Sequence, residues 1–187
     1  MALTFANKIT ICRILAVPFF IGTILYYSPE HRELWYVSFG IFMFAVISDM
    51  IDGYIARTRH QKTKAGAILD PLADKMLLIA AFICLYKMRA FFGSIQFPMW
   101  FVVVMISRDA ILLLGAMIIY LVHDDLNIEA TNWGKVAAFF QIFSVIGIFL
   151  QWSFSPIFWY LAVIFTCISG IGYIRKGIKV LNNGSGV

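Results

Sequence analysis

The sequence predicts an all-α integral membrane protein with six transmembrane helices, an amphipathic start at the N-terminus and both termini in the cytoplasm. Three observations carry this expectation. Hydrophobic residues make up 61% of the chain and charged ones 13%, with a mean hydropathy of +0.86, outside the range of ordinary soluble domains. The apolar residues gather into six runs, each near the ~20 residues that span a hydrocarbon core as a helix. Basic residues favour one side of those runs. Lys8, Arg13, Arg57, Arg59, Lys62, Lys64, Lys135, Arg175, Lys176 and Lys179 fall on one face, against Arg32, Lys87 and Arg89 on the other. Such an excess marks the cytoplasmic side. The whole of 1–187 is expected to form a single transmembrane domain.

The elements follow in order. Asn7, Lys8, Thr10 and Arg13 interrupt an amphipathic start, after which an apolar run reaches Tyr27. This run is followed by no small-residue cleavage pattern and is read as a resident helix. A polar patch, SPEHRE, leads into a second helix over Leu34 to Ala56, and a basic linker from Arg57 to Lys64 separates it from a third run, Gly66 to Leu85. The fourth segment, Phe97 to Val122, carries Ser107, Arg108 and Asp109 in its middle. After HDDLNIEATN come a fifth run, Trp133 to Trp152, and a sixth, Ile157 to Tyr173, with a basic, polar and frayed tail behind it. Tyr26, Tyr27, Trp35, Trp100, Trp152 and Trp159 cluster at the ends away from the basic face, as an interfacial aromatic belt would.

Composition also excludes. The cysteines Cys12, Cys84 and Cys167 are odd in number, far apart and set in apolar runs, which suits neither a disulfide framework nor a metal-ligand spacing. The net charge of +5 distributes by topology, so no nucleic-acid partner is expected. His31, His60 and His123 are isolated and receive no role.

Acid is concentrated where hydropathy says it should be absent. The stretch SDMIDGYIARTRHQKTKAGAILDPLADK, residues 48–75, holds four of the ten acidic residues: Asp49, Asp52, Asp70 and Asp74. One aspartate at the centre of a membrane helix costs roughly 2.5 to 3.5 kcal/mol, so four demand neutralisation or water. Residues three and four apart share a helix face. Asp49, Asp52, Gly53 and Ala56 therefore line one stripe, continued by Arg57, and Gly66, Asp70 and Asp74 line another. Oxygen donors without His or Cys suit Mg²⁺, Mn²⁺ or Ca²⁺, and two such ions cancel four carboxylates. Gly53 and Gly66 leave room for a ligand to approach the backbone, and Pro71 is expected in a first helical turn. The bland alternative is that the aspartates pair with Arg57, Arg59, Lys62 and Lys64 at the membrane surface, although surface pairing does not require one-faced spacing. Carboxylates beside basic groups suggest phosphoryl chemistry. A divalent-cation transporter is the alternative from another class.

The order Asp49-x-x-Asp52-Gly53-x-x-Ala56-Arg57, eight residues, Gly66-x-x-x-Asp70-x-x-x-Asp74 resembles, without a gap, the signature of the CDP-alcohol phosphotransferase family. The resemblance implies a dimeric six-helix enzyme of a bacterial inner or plasma membrane, its site open to the cytoplasm. It moves a phosphatidyl group from CDP-diacylglycerol to an alcohol and releases CMP. By position, Asp49, Asp52, Asp70 and Asp74 hold Mg²⁺ or Mn²⁺, two ions in all, and Asp74 is also the general base. Gly53, Ala56, Arg57 and Gly66 form the CDP pocket, with Thr63 beside the nucleotide.

NKITICRILAVPFF, DPLADK, Ser-Arg-Asp and Trp-Gly-Lys resemble the branch that contains phosphatidylglycerophosphate synthases and the CDP-diacylglycerol type of cardiolipin synthase. In that branch Arg108 and Lys135 become candidates for the acceptor phosphate. Their structural alternatives are an intramembrane Arg108–Asp109 pair and a snorkelling Lys135. Many glycerophosphate-using members carry Arg-Glu where this chain has Arg108-Asp109, a pair also seen on the cardiolipin synthase side. The expected acceptor is sn-glycerol 3-phosphate, with phosphatidylglycerol the alternative.

Overall fold

The structure, a computed structural model, describes the backbone of residues 5–59, 64–91, 93–123 and 132–184, and the side chains of 12–50, 75–91, 93–115, 133–173 and 175. Among these it contains six α-helices: α1 (Phe5–Leu25), α2 (Glu33–Arg59), α3 (Lys64–Lys87), α4 (Met99–His123), α5 (Asn132–Phe149) and α6 (Ser155–Gly184), with a short 3-10 turn at Arg89–Phe91. Two stretches, Glu33–Met50 and Ser155–Tyr173, are long and apolar enough to cross a membrane among the described residues. The helices gather into two compact units, Met1–Phe97 and Pro98–Val187.

In the first unit α1 packs against both α2 and α3. The α1–α2 pair is an antiparallel hairpin whose register is fixed along its length. Tyr27 meets Trp35 at 5.7 Å and Phe20 meets Phe42 at 6.1 Å between ring centroids. Between them the Ser38 hydroxyl donates to Thr23 Oγ1 (2.8 Å), whose own hydroxyl donates to the Phe20 carbonyl (3.0 Å). Small hydroxyl residues let helices approach and bond across an apolar seam. α1 runs unbroken from Phe5 through Pro18, so the amphipathic start is the first part of the same helix.

In the second unit α5 lies antiparallel to α6 along an aromatic seam: Phe165 stacks on Trp133 and on Phe140, and Phe158 meets Phe140 and Phe143 with its ring tilted. α4 runs parallel to α6, with Phe101 on Trp159 and Trp100 on Tyr160. Trp159 is thus core, 8% exposed, and does not belong to an aromatic belt. Buried Gln141 on α5 ties the three helices together, its amide donating to Met105 Sδ on α4 (3.2 Å) and to Thr166 Oγ1 on α6 (3.4 Å).

Several boundaries differ from expectation for identifiable reasons. α5 stops at Phe149, before Trp152, because the chain closes a Schellman cap. Trp152 N–H bonds the Gly147 carbonyl, Gln151 N–H bonds the Ile148 carbonyl, and Gln151 takes the left-handed conformation at φ 48°. α6 continues past Tyr173 to Gly184, so the basic tail is helical. Loss of hydropathy does not by itself end a helix. α2 takes up Arg57 to Arg59, where cations complement the C-terminal dipole. With α3 beginning at Lys64, Pro71 falls in the helix interior and not in its first turn, which deprives the Ala67 carbonyl of its usual donor.

The α5–α6 turn brings Ser155 against Gly147, where an added Cβ would lie 2.5 Å from Ser155 Oγ and 3.0 Å from its Cβ. Gly147→Ala is therefore expected to overpack this turn at a cost of about 1–3 kcal/mol. Thermal unfolding of detergent-solubilised protein measures it, with Gly115→Ala, which meets nothing within 4 Å, as the neutral comparison.

Candidate active site

The four signature aspartates sit on two helices consecutive in the chain. Asp49 and Asp52 lie toward the end of α2, and Asp70 and Asp74 toward the start of α3. Counted along each helix, all four fall within about three turns of the junction between them. Gly53, Ala56 and Arg57 share the end of α2, and Gly66 the start of α3. The side chains of Asp52, Gly53, Ala56, Arg57, Gly66, Asp70 and Asp74 lie outside the described residues, as does Thr63 altogether.

Asp49 is described, and it is not alone. Arg13 Nη1 on α1 stands 2.5 Å from Asp49 Oδ1. The hairpin register explains the meeting: Tyr27–Trp35, Thr23–Ser38 and Phe20–Phe42 step along antiparallel helices toward Arg13 and Asp49. The partners differ in exposure, the Arg13 side chain at 2% and that of Asp49 at 44%. A guanidinium enclosed so completely needs an anion beside it, and Asp49 supplies one while keeping an accessible face. In the sequence Arg13 is one of four polar residues that interrupt the amphipathic start. Its position as a charge inside helix one was visible, but no spacing rule joins residues 36 apart in the chain.

The donor set fits a divalent ion. It consists of carboxylates with no Cys or His among them, at one-turn spacing on each helix, and the one carboxylate described remains 44% exposed despite its ion pair. Hard oxygen donors of this kind suit Mg²⁺ or Mn²⁺.

In the second unit Arg108 and Asp109 form the ion pair considered from sequence, enclosed within the protein. Arg108 Nη1 donates to Asp109 Oδ1 (2.6 Å) and Nη2 to Ser169 Oγ on α6 (2.9 Å). Asp109 is 1% exposed, and the Arg108 side chain 11%. Ser169 was not legible beforehand, being an ordinary helix serine until α4 and α6 align. Lys135 lies in the first turn of α5 and is exposed. Because Trp133 stacks on Phe165, one turn before Ser169, Lys135 and Arg108 occur toward the same end of this three-helix unit. One cation is enclosed and oriented, the other open.

Comparison with known proteins agrees with the signature. A sequence model of the family described as CDP-alcohol phosphatidyltransferase matches residues 3–168, which include helices of both units. A protein of Bacillus subtilis named CDP-diacylglycerol–glycerol-3-phosphate 3-phosphatidyltransferase is 31% identical over 197 aligned residues, covering 94% of this chain and 95% of that one. Its Haemophilus influenzae namesake is 31% identical, covering 89% of each. A putative cardiolipin synthase of Mycobacterium bovis is 33% identical over a shorter match, 73% of this chain and 60% of the other. With the aspartate signature intact and the family's model matched over most of its length, this chain belongs to the membrane-bound CDP-alcohol phosphatidyltransferase family.

Proposed function

We propose that this protein transfers a phosphatidyl group from CDP-diacylglycerol to sn-glycerol 3-phosphate, giving phosphatidylglycerophosphate and CMP in phospholipid biosynthesis. The observation that carries the reading is the full-length similarity to proteins named for that reaction, at 31% identity over about nine-tenths of the chain. Family membership favours phosphatidyl transfer over cation transport.

Asp49, Asp52, Asp70 and Asp74 are the residues that would hold Mg²⁺ or Mn²⁺, two ions by charge balance. When bound, the metal neutralises diphosphate oxygens and the charge building on departing CMP. Gly53, Ala56, Arg57 and Gly66 bind the CDP moiety, with Thr63 beside it. Asp74 takes the proton from the acceptor hydroxyl. That oxygen then bonds to the phosphorus bearing the diacylglycerol, and the bond from this phosphorus to the CMP oxygen breaks. Arg108 and Lys135 hold the phosphate of the acceptor: the fixed guanidinium of Arg108 orients it, and the open ammonium of Lys135 captures it. We read the six helices as six spans of one domain, 1–187, both termini and the site cytoplasmic, in a homodimer of a bacterial inner membrane. The one-sided distribution of Lys and Arg supports that orientation.

The test is purified protein incubated with CDP-diacylglycerol and a panel of labelled acceptors, with products separated by thin-layer chromatography. CMP release dependent on glycerol 3-phosphate and abolished by EDTA is expected. Release with phosphatidylglycerol instead transfers the assignment to cardiolipin synthesis.

A further inference from the structure

We propose that Arg13 is a positioning residue for the metal site, orienting the Asp49 carboxylate so that it can serve as a ligand. This rests on the metal-dependent reading above. Three observations meet in it: Arg13 is 4% exposed, its Nη1 lies 2.5 Å from Asp49 Oδ1, and Asp49 is nevertheless 44% exposed in its side chain. The ion pair uses one carboxylate oxygen, while the carboxylate has two.

The arrangement is anchored. Arg13 stands on a helix locked to α2 by the Thr23–Ser38 hydroxyl pair and the Phe20–Phe42 contact. Its guanidinium is planar, always charged and enclosed, and so fixes the plane and rotation of the carboxylate it bonds. Two effects on an ion at Asp49 then oppose each other. A neighbouring positive charge repels it, and an oriented ligand binds it more tightly. Outer partners of metal ligands typically contribute 10–100-fold in affinity when removed, so orientation is expected to win. A guanidinium that served only to neutralise Asp49 before metal arrives could be replaced by any cation, and one that competed with metal would weaken binding by its presence.

Mn²⁺ binding to the full-length protein in detergent, read by electron paramagnetic resonance on the monodisperse fraction, separates these cases. Arg13→Met is expected to weaken Mn²⁺ binding about 10–100-fold. Arg13→Lys, which keeps the charge but not the fork, is expected to weaken it by an intermediate amount. In an Asp49→Asn background Arg13→Met is expected to add no further loss, since Arg13 acts through that carboxylate. Unchanged or tighter binding in Arg13→Met overturns the proposal, and so does full retention in Arg13→Lys, which reduces the role to charge. Should Arg13→Met not be recovered folded, Arg13→Lys decides alone. Unmutated protein that binds no Mn²⁺ removes the metal reading and this inference with it, whereas binding that is indifferent to residue 13 removes only the inference.

Discussion

Asp74→Asn is expected to reduce CMP release from CDP-diacylglycerol by about 10²–10⁴-fold, the contribution of a positioned general base. The substitution keeps the shape of the side chain and takes away its ability to accept a proton from the acceptor hydroxyl. It also removes one negative charge from the set assigned to metal, so a second measurement is needed. If Asp74 only held metal, raising Mg²⁺ would restore the rate; if it is the base, kcat stays low at saturating Mg²⁺. The second outcome is expected, with an unchanged thermal unfolding midpoint showing that α3 still folds. Undiminished release at any Mg²⁺ concentration would remove Asp74 from the mechanism.

Arg108→Gln is expected to act on stability and on acceptor use at once, and the two effects can be separated. Asp109 is 1% exposed and bonded to the Arg108 guanidinium at 2.6 Å. Taking one member from a buried ion pair typically costs about 3–5 kcal/mol, because the remaining charge stays enclosed. The double variant Arg108→Gln, Asp109→Asn removes both charges and is expected to recover much of the lost thermal stability. It is not expected to recover acceptor use. In both variants kcat/KM for glycerol 3-phosphate should fall about 10- to 100-fold, the scale of a hydrogen bond to a charged group, with KM for CDP-diacylglycerol unchanged. An acceptor KM equal to that of the unmutated protein in the double variant would make the pair purely structural.

Much of the fold was legible because hydropathy reports the helices directly. The six apolar runs correspond to α1 to α6. Their ends were not legible from hydropathy, since leaving an apolar environment and ending a helix are different events. Arg175 to Gly184 is basic and helical, and Leu150 is apolar and lies beyond α5 because Gln151 turns the chain. At the site, spacing on one helix could be read from sequence: Asp49 with Asp52, and Asp70 with Asp74. What joins separate helices could not. Arg13 reaches Asp49 only through the α1–α2 register, and Ser169 reaches Arg108 only through the parallel alignment of α4 with α6. Both partnerships depend on packing, which no local pattern encodes.

The Arg13–Asp49 pair also bears on how the protein is made. Translation delivers α1 and then α2, the two helices that this pair joins, ahead of α3. An isolated arginine or aspartate entering a bilayer is held back by its hydration. Joined across the α1–α2 hairpin, the two side chains carry no net charge together, which lowers that cost at any stage where the hairpin has formed. Biogenesis is thus expected to depend on residue 13 at an earlier moment than catalysis does.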